Sequence, residues 1–122
     1  PRVLLLDEPT SNLDVCYQIE IMSLLRELVE KLGLTIICAI HDLNLAARYS
    51  DKIILINDGK IKSIGKPVEV LTKENLRDVF KIEAKIEYDR GSGSLTIIPI
   101  KTVAQEFEKS KRSIFSKVLR KR

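Results

Sequence analysis

Two carboxylates, Asp7 and Glu8, directly follow the apolar run Val3-Leu4-Leu5-Leu6, and the chain's only histidine, His41, follows a second such run, Thr35-Ile36-Ile37-Cys38-Ala39-Ile40. An aspartate in that position can hold magnesium on the phosphates of a nucleotide. A glutamate beside it can orient and deprotonate the water that attacks them. An imidazole can donate a hydrogen bond to a phosphate oxygen in its neutral or its cationic form. The three side chains have the types that phosphoanhydride hydrolysis requires. Each also has an ordinary reading, since acids often mark a polar strand exit and a single histidine at a strand end is often structural.

The flanking elements decide between these readings. Neither apolar run alternates with polar residues, the pattern of strands buried on both faces in a parallel sheet covered by helices. Between them Ile21, Met22, Leu25, Leu28, Val29 and Leu32 recur on one helical stripe that stops at Gly33, with Asp14 as the expected cap at its start. Strand, helix and strand make a βαβ unit with a right-handed crossover. Its two strands run the same way, so Asp7, Glu8 and His41 leave the sheet at one edge, where open α/β sheets bind ligands.

The remaining elements are legible in outline. A short helix is expected over residues 43–49. Two β-rich segments, residues 52–57 and 60–64, flank Asp58-Gly59, a strong hairpin signal. Two short helical pieces follow, over residues 67–71 and 74–80, the second capped by Thr72. Alternating residues 82–88 and 95–98 form a second hairpin around a Gly- and Ser-rich tip. From Thr102 the pattern is that of a basic amphipathic helix, so the domain boundaries are set at residues 1–101 and 102–122. No internal repeat is present.

At 122 residues the chain is long enough for one core. It has 44% hydrophobic and 31% charged residues, and no apolar run nears the roughly 20 residues that span a bilayer. The formal charge of +4 is uneven. Residues 109–122 carry seven Lys or Arg and no acid, leaving 14 basic against 17 acidic residues elsewhere, a body of −3 with a tail of +7. The tail's functional reading is attraction to anionic lipid headgroups; its ordinary reading is a solvated or partner-packed helix. No aromatic platform or nucleic-acid motif accompanies the charge, so no specific nucleic acid is expected. Cys16 and Cys38 make no C-x-x-C pair and fit a reducing compartment. Residue 1 is Pro and no leader pattern opens the sequence, which reads as a fragment or a processed chain.

Residues 7–14, Asp-Glu-Pro-Thr-Ser-Asn-Leu-Asp, resemble the Walker B motif running into the D-loop of ATP-binding cassette (ABC) ATPases, and His41 resembles their switch histidine. Farther along, residues 41–49, 57–60, 65–71 and 75–80 are similar to the cassettes of importers for iron chelates, haem or cobalamin, as is the hairpin over residues 85–99. The resemblance implies a partial P-loop NTPase fold of class α/β, with parallel strands, flanking helices, antiparallel hairpins and a helical tail. It also implies roles: Asp7 for magnesium, Glu8 as catalytic base, and His41 for the terminal phosphate of ATP. Ser11, Asn12, Leu13 and Asp14 would reach a second cassette. The implied subunit is cytoplasmic and peripheral, at the inner face of the cell membrane beneath a permease.

The family's other motifs, a Gly-rich loop ending in Lys-Ser or Lys-Thr, a glutamine loop and a Ser-Gly-Gly signature, do not occur in these 122 residues. Most phosphate affinity in P-loop proteins comes from that loop. The chain alone is therefore expected to be inactive, to need the missing N-terminal half of the cassette, and to self-associate through uncovered strands. Lys81 stands where this branch commonly has Gly. Two other classes compete with the importer ATPase: a non-catalytic interaction module, and an ATPase of the DNA-repair or chromosome-associated ABC class.

Overall fold

A computed structural model describes residues 2–103. It begins with the expected βαβ unit: β1 (Val3–Asp7), α1 (Val15–Leu32) and β2 (Thr35–Ala39), with the strands paired in parallel from Val3 opposite Thr35 to Asp7 opposite Ala39. Gly33 ends α1 in the left-handed region at φ 66°, and its N–H bonds the Val29 carbonyl at 3.1 Å. Only Gly enters that region without a Cβ penalty. Asp14 takes the N-cap position with extended backbone, but its side chain makes no capping bond.

Helix α1 packs on β2 and α2, with Met22 of its stripe buried and Ile21, Leu25, Leu28 and Val29 half-buried; Leu32, at its end, is exposed. Burial of the strands on both faces is not what the structure has. Val3, Leu5 and Ile37 are 60%, 70% and 50% exposed, because successive residues of a strand point to opposite faces and α1 covers one of them.

After α2 (Leu43–Tyr49), strands β3 (Ile53–Asn57) and β4 (Lys60–Gly65) pair antiparallel across Asp58-Gly59. Both turn residues have positive φ, 51° and 72°, the type I′ geometry whose twist matches the flanking strands. One face of this hairpin presents Ile54, Ile56, Ile61 and Ile64, all exposed; the other face places Leu55 inside. Arg26 joins α1 to the segment entering β3 through a 2.6 Å bond to Asp51.

The short helices α3 (Pro67–Val70) and α4 (Lys73–Phe80) lead to the long hairpin of β5 (Ile82–Asp89) and β6 (Ser94–Thr102). Thr72 caps α4 as expected, its hydroxyl accepting from the Asn75 N–H at 3.1 Å. Lys81 follows α4 at φ 56°, the conformation for which Gly is the usual residue. Strand β6 runs past Ile98 and through Pro99, where the register shifts between Glu83 and Ala84. A bulge is one of the few places a sheet accepts a residue without an N–H. Thr102 pairs with Ile82, one residue beyond the boundary drawn at residue 101, and the rest of the basic tail lies outside the described residues from residue 104 onward.

The core sits in this second half. Ala47, Leu71, Leu76, Ala84, Leu95 and Ile97 form one buried cluster, with Leu43, Ile53, Ile82 and Ile86 packed against it. The three strand pairs remain, among the described residues, separate two-stranded sheets, and the fold is α/β with parallel and antiparallel pairs. Among the described residues no helix is long and apolar enough to cross a membrane.

Candidate functional site

The parallel register does the first part of the positioning. Asp7 ends β1 opposite Ala39, the last residue of β2, and the Glu8 N–H extends the ladder by donating to the Ala39 carbonyl at 2.9 Å. Glu8 then turns sharply, at φ 47°, a region that costs a non-glycine residue energy and appears where surroundings enforce it. The turn aims its carboxylate across the sheet edge. There Glu8 Oε1 meets His41 Nε2 in a direct contact, with 36% of the Glu8 side chain and 88% of the His41 side chain exposed. The two groups lie 33 residues apart in sequence and meet because the βαβ topology brings both strand ends to one edge.

Two further turns follow Glu8. The Ser11 N–H bonds the Glu8 carbonyl at 3.1 Å and the Leu13 N–H bonds the Thr10 carbonyl at 3.4 Å, with Asn12 between them at φ 63°. Thr10 is 6% exposed, and its carbonyl also accepts from Gln18 Nε2 at 3.3 Å, which fastens the loop to the first turn of α1. Ser11, Asn12, Leu13 and Asp14 all remain exposed, a surface open to a partner.

Glu8, Thr10, Ser11, Asn12, Gln18, Ile40, His41 and Asp42 line a shallow cleft of about 160 Å³. That is below the roughly 300–1,000 Å³ of a small-molecule pocket, so the cleft by itself does not enclose a whole nucleotide. Asp7 is exposed on β1 just outside the cleft, and Leu13 and Asp14 are also outside it. Thr10 and Gln18 escaped sequence reasoning. Their part rests on a backbone carbonyl and a turn that brings α1 back to it, which no spacing rule encodes.

Asp42 is a cap in the structure: Oδ1 accepts from the Asn44 N–H at 2.9 Å and the Leu45 N–H at 3.1 Å. Cys38 is half-buried in β2 facing α1, and burial pushes its thiol up, away from the thiolate a reactive cysteine needs. Among the described residues no three His, Cys, Asp or Glu side chains gather into a metal cage. A lone carboxylate such as Asp7 nevertheless fits magnesium, which keeps several waters and takes one or two carboxylates beside substrate phosphates.

No family model matches the chain. It is 47% identical over 97 residues to a petrobactin import ATP-binding protein of Bacillus anthracis, a match covering 80% of this chain and 36% of that protein. A cobalamin import ATP-binding protein of Halobacterium salinarum is 40% identical over 98 residues, with 80% and 25% covered. A hemin import ATP-binding protein of Bordetella avium is 39% identical over 99 residues, with 80% and 38% covered. The chain thus spans between a quarter and two-fifths of the length of these relatives. Among solved structures, a metal-chelate type ABC transporter in an inward-facing conformation superposes with a TM-score of 0.71 at 29% identity, over 81% of this chain and 40% of that one. A dimeric ATP-binding cassette bound to ADP and Pi superposes at 0.51 with 37% identity, over 55% and 28%. Over four-fifths of its length the chain is a homologue of ATP-binding proteins from ABC importers for petrobactin, hemin and cobalamin, and it carries part of the ABC-cassette fold.

Proposed function

We propose that residues 7–14 and 41 form the hydrolytic edge of a cassette that couples ATP hydrolysis to import of an iron chelate, haem or cobalamin. The observation that carries this is the contact of Glu8 with His41 at the carboxyl ends of two parallel strands. Glu8 takes the proton of the attacking water, and its turn off β1 points the carboxylate into the cleft. His41 donates to the terminal phosphate. In this structure it contacts Glu8 instead, so arrival of the phosphate would give the imidazole a new acceptor and leave Glu8 free to act on water.

Asp7 would hold a magnesium ion brought in on the phosphates, and the metal would supply neutralisation of phosphate charge. Ser11, Asn12, Leu13 and Asp14 would face a second cassette, and a membrane permease would receive the work. In this reading the subunit works at the inner face of the cell membrane.

A chimera tests the reading. In the petrobactin relative, the matching segment is replaced by residues 1–103, and phosphate release from MgATP is followed. The expected result is turnover that Glu8→Gln lowers by about 10²-fold or more, the low end of what general base catalysis supplies. A folded, ATP-binding chimera whose turnover is indifferent to Glu8→Gln would refute the assignment of the base.

A second reading has an observation of its own. The exposed side chains of Val3, Leu5 and Ile37 favour a chain that by itself acts as an interaction module, covered by further cassette sequence or by a second copy.

A further inference from the structure

Asn44 lies in the first turn of α2, three residues after His41, and its carboxamide meets the backbone of Ile97 in β6 twice. Nδ2 donates to the Ile97 carbonyl at 3.1 Å, and Oδ1 accepts from the Ile97 N–H at 2.7 Å. A residue in an antiparallel strand sends its N–H and C=O to the same side. Both groups of Ile97 therefore point away from β5, toward an edge that no third strand occupies among the described residues. The Asn44 amide stands in for one residue of that strand. Ile97 is 2% exposed, so the paired bonds lie over the core, where unpartnered backbone groups are costly.

The same turn of α2 anchors the segment that carries His41. Asp42 caps the helix through the N–H groups of Asn44 and Leu45. The His41 side chain, 88% exposed, is not held by packing. Its place is inherited from the backbone on either side, where β2 ends at Ala39 and α2 begins at Leu43. Whatever fixes α2 against the rest of the molecule therefore fixes how His41 meets Glu8. The Asn44 clasp joins α2 to β6 across 53 residues of sequence.

We propose that Asn44 is a positioning residue: by locking α2 to the edge of β6, it sets the geometry in which His41 meets Glu8. The β5–β6 hairpin, far from the cleft in sequence, thereby governs the aim of the imidazole. The proposal rests on the reading of Glu8 and His41 as a functional pair. Such aim matters because a displacement of about 1 Å at a reacting group can cost roughly 10²-fold in rate.

The rival role for Asn44 is purely structural, blunting a strand edge with no consequence for His41. Because His41 is the only histidine, its imidazole ¹H and ¹⁵N resonances are unambiguous reporters in the 122-residue chain. They are compared in the wild type, Asn44→Ala, Asn44→Asp, Glu8→Gln and Asn75→Ala, the last removing a similar 2.7 Å amide-to-carbonyl bond elsewhere, to Val70. Amide exchange at Ile97 is followed in parallel. The proposal expects Glu8→Gln and Asn44→Ala to move the ring signals in the same direction, and Asn75→Ala to leave them at wild-type positions. Ile97 exchange should quicken about tenfold or more in Asn44→Ala, which removes both amide bonds.

Asn44→Asp keeps the acceptor for the Ile97 N–H but replaces the donor with a carboxylate oxygen facing the Ile97 carbonyl, which also breaks the clasp. It should give a shift of the same sign, and it carries the test if Asn44→Ala does not fold. Faster Ile97 exchange with ring signals unmoved, in a protein where Glu8→Gln does move them, would overturn the positioning role and leave the pair intact. Ring signals unmoved by Glu8→Gln as well would overturn the pair itself, and the proposal with it.

Discussion

The two ends of the described chain treat apolar side chains in opposite ways. Around α3, α4 and the β5–β6 hairpin, Val70, Leu71, Leu76 and Ile97 are exposed by 2% or less. In the βαβ unit, Leu5 is 70% exposed and Ile37 50%, although both strands are as apolar as any core strand. The difference follows from layers. The core of the second half lies between α2, α4 and one face of the β5–β6 hairpin, whose outer face is largely polar, whereas among the described residues β1 and β2 have α1 on one face and an uncovered apolar face on the other. The proposed site residues all lie on the open half. Glu8 and His41 are held by strand ends and turns rather than by surrounding side chains, and their cleft is correspondingly shallow.

Truncating one leucine in each half probes that contrast where the effect is largest. Leu76→Ala, at a side chain with no exposure, should cost about 2–5 kcal/mol in urea unfolding, whereas Leu5→Ala, measured at dilution where the chain is monomeric, should stay within about 0.5 kcal/mol. Equal costs would mean that Leu5 is covered in solution. A covering layer supplied by a second copy is the next way to sharpen the comparison. Sedimentation of the 122-residue chain should show concentration-dependent association, and the pair Leu5→Lys with Ile37→Lys should shift it toward monomer. A wild-type chain that stays monomeric at high concentration would remove the case for self-association.

A smaller effect concerns the closed half alone. Lys81 holds φ 56° at the end of α4, so Lys81→Gly should raise stability by up to about 1 kcal/mol, seen as a higher urea midpoint. Any loss would show that the Lys81 side chain makes a compensating contact.

Much of the element order was legible because it rests on local signals. Gly33 stops α1, Asp58-Gly59 turns the first hairpin and Thr72 caps α4, each where its chemistry requires. Convergence of Glu8 and His41 was legible too, since a βαβ unit leaves little freedom in which edge its strand ends share. Burial was not. An unbroken apolar run signals a strand made to be covered on both faces, and it carries no information on whether the covering elements lie in the same 122 residues. Pro99 misled in the other direction, ending the expected strand at Ile98 because a bulge depends on the partner strand's register. The parts of Thr10, Gln18 and Asn44 depend on backbone carbonyls and amides brought close by folding, and side-chain pattern does not reveal those.

In the proposed reading the contrast between halves also concerns catalysis: the proposed base and the imidazole are present, while no Gly-rich phosphate loop occurs in the sequence to hold a nucleotide before them. The most direct test is phosphate release from MgATP by the 122-residue chain alone, measured beside its Glu8→Gln variant. The account predicts the same background for both. Turnover by the wild-type chain that disappears in Glu8→Gln would contradict it, since this edge would then be working without the loop.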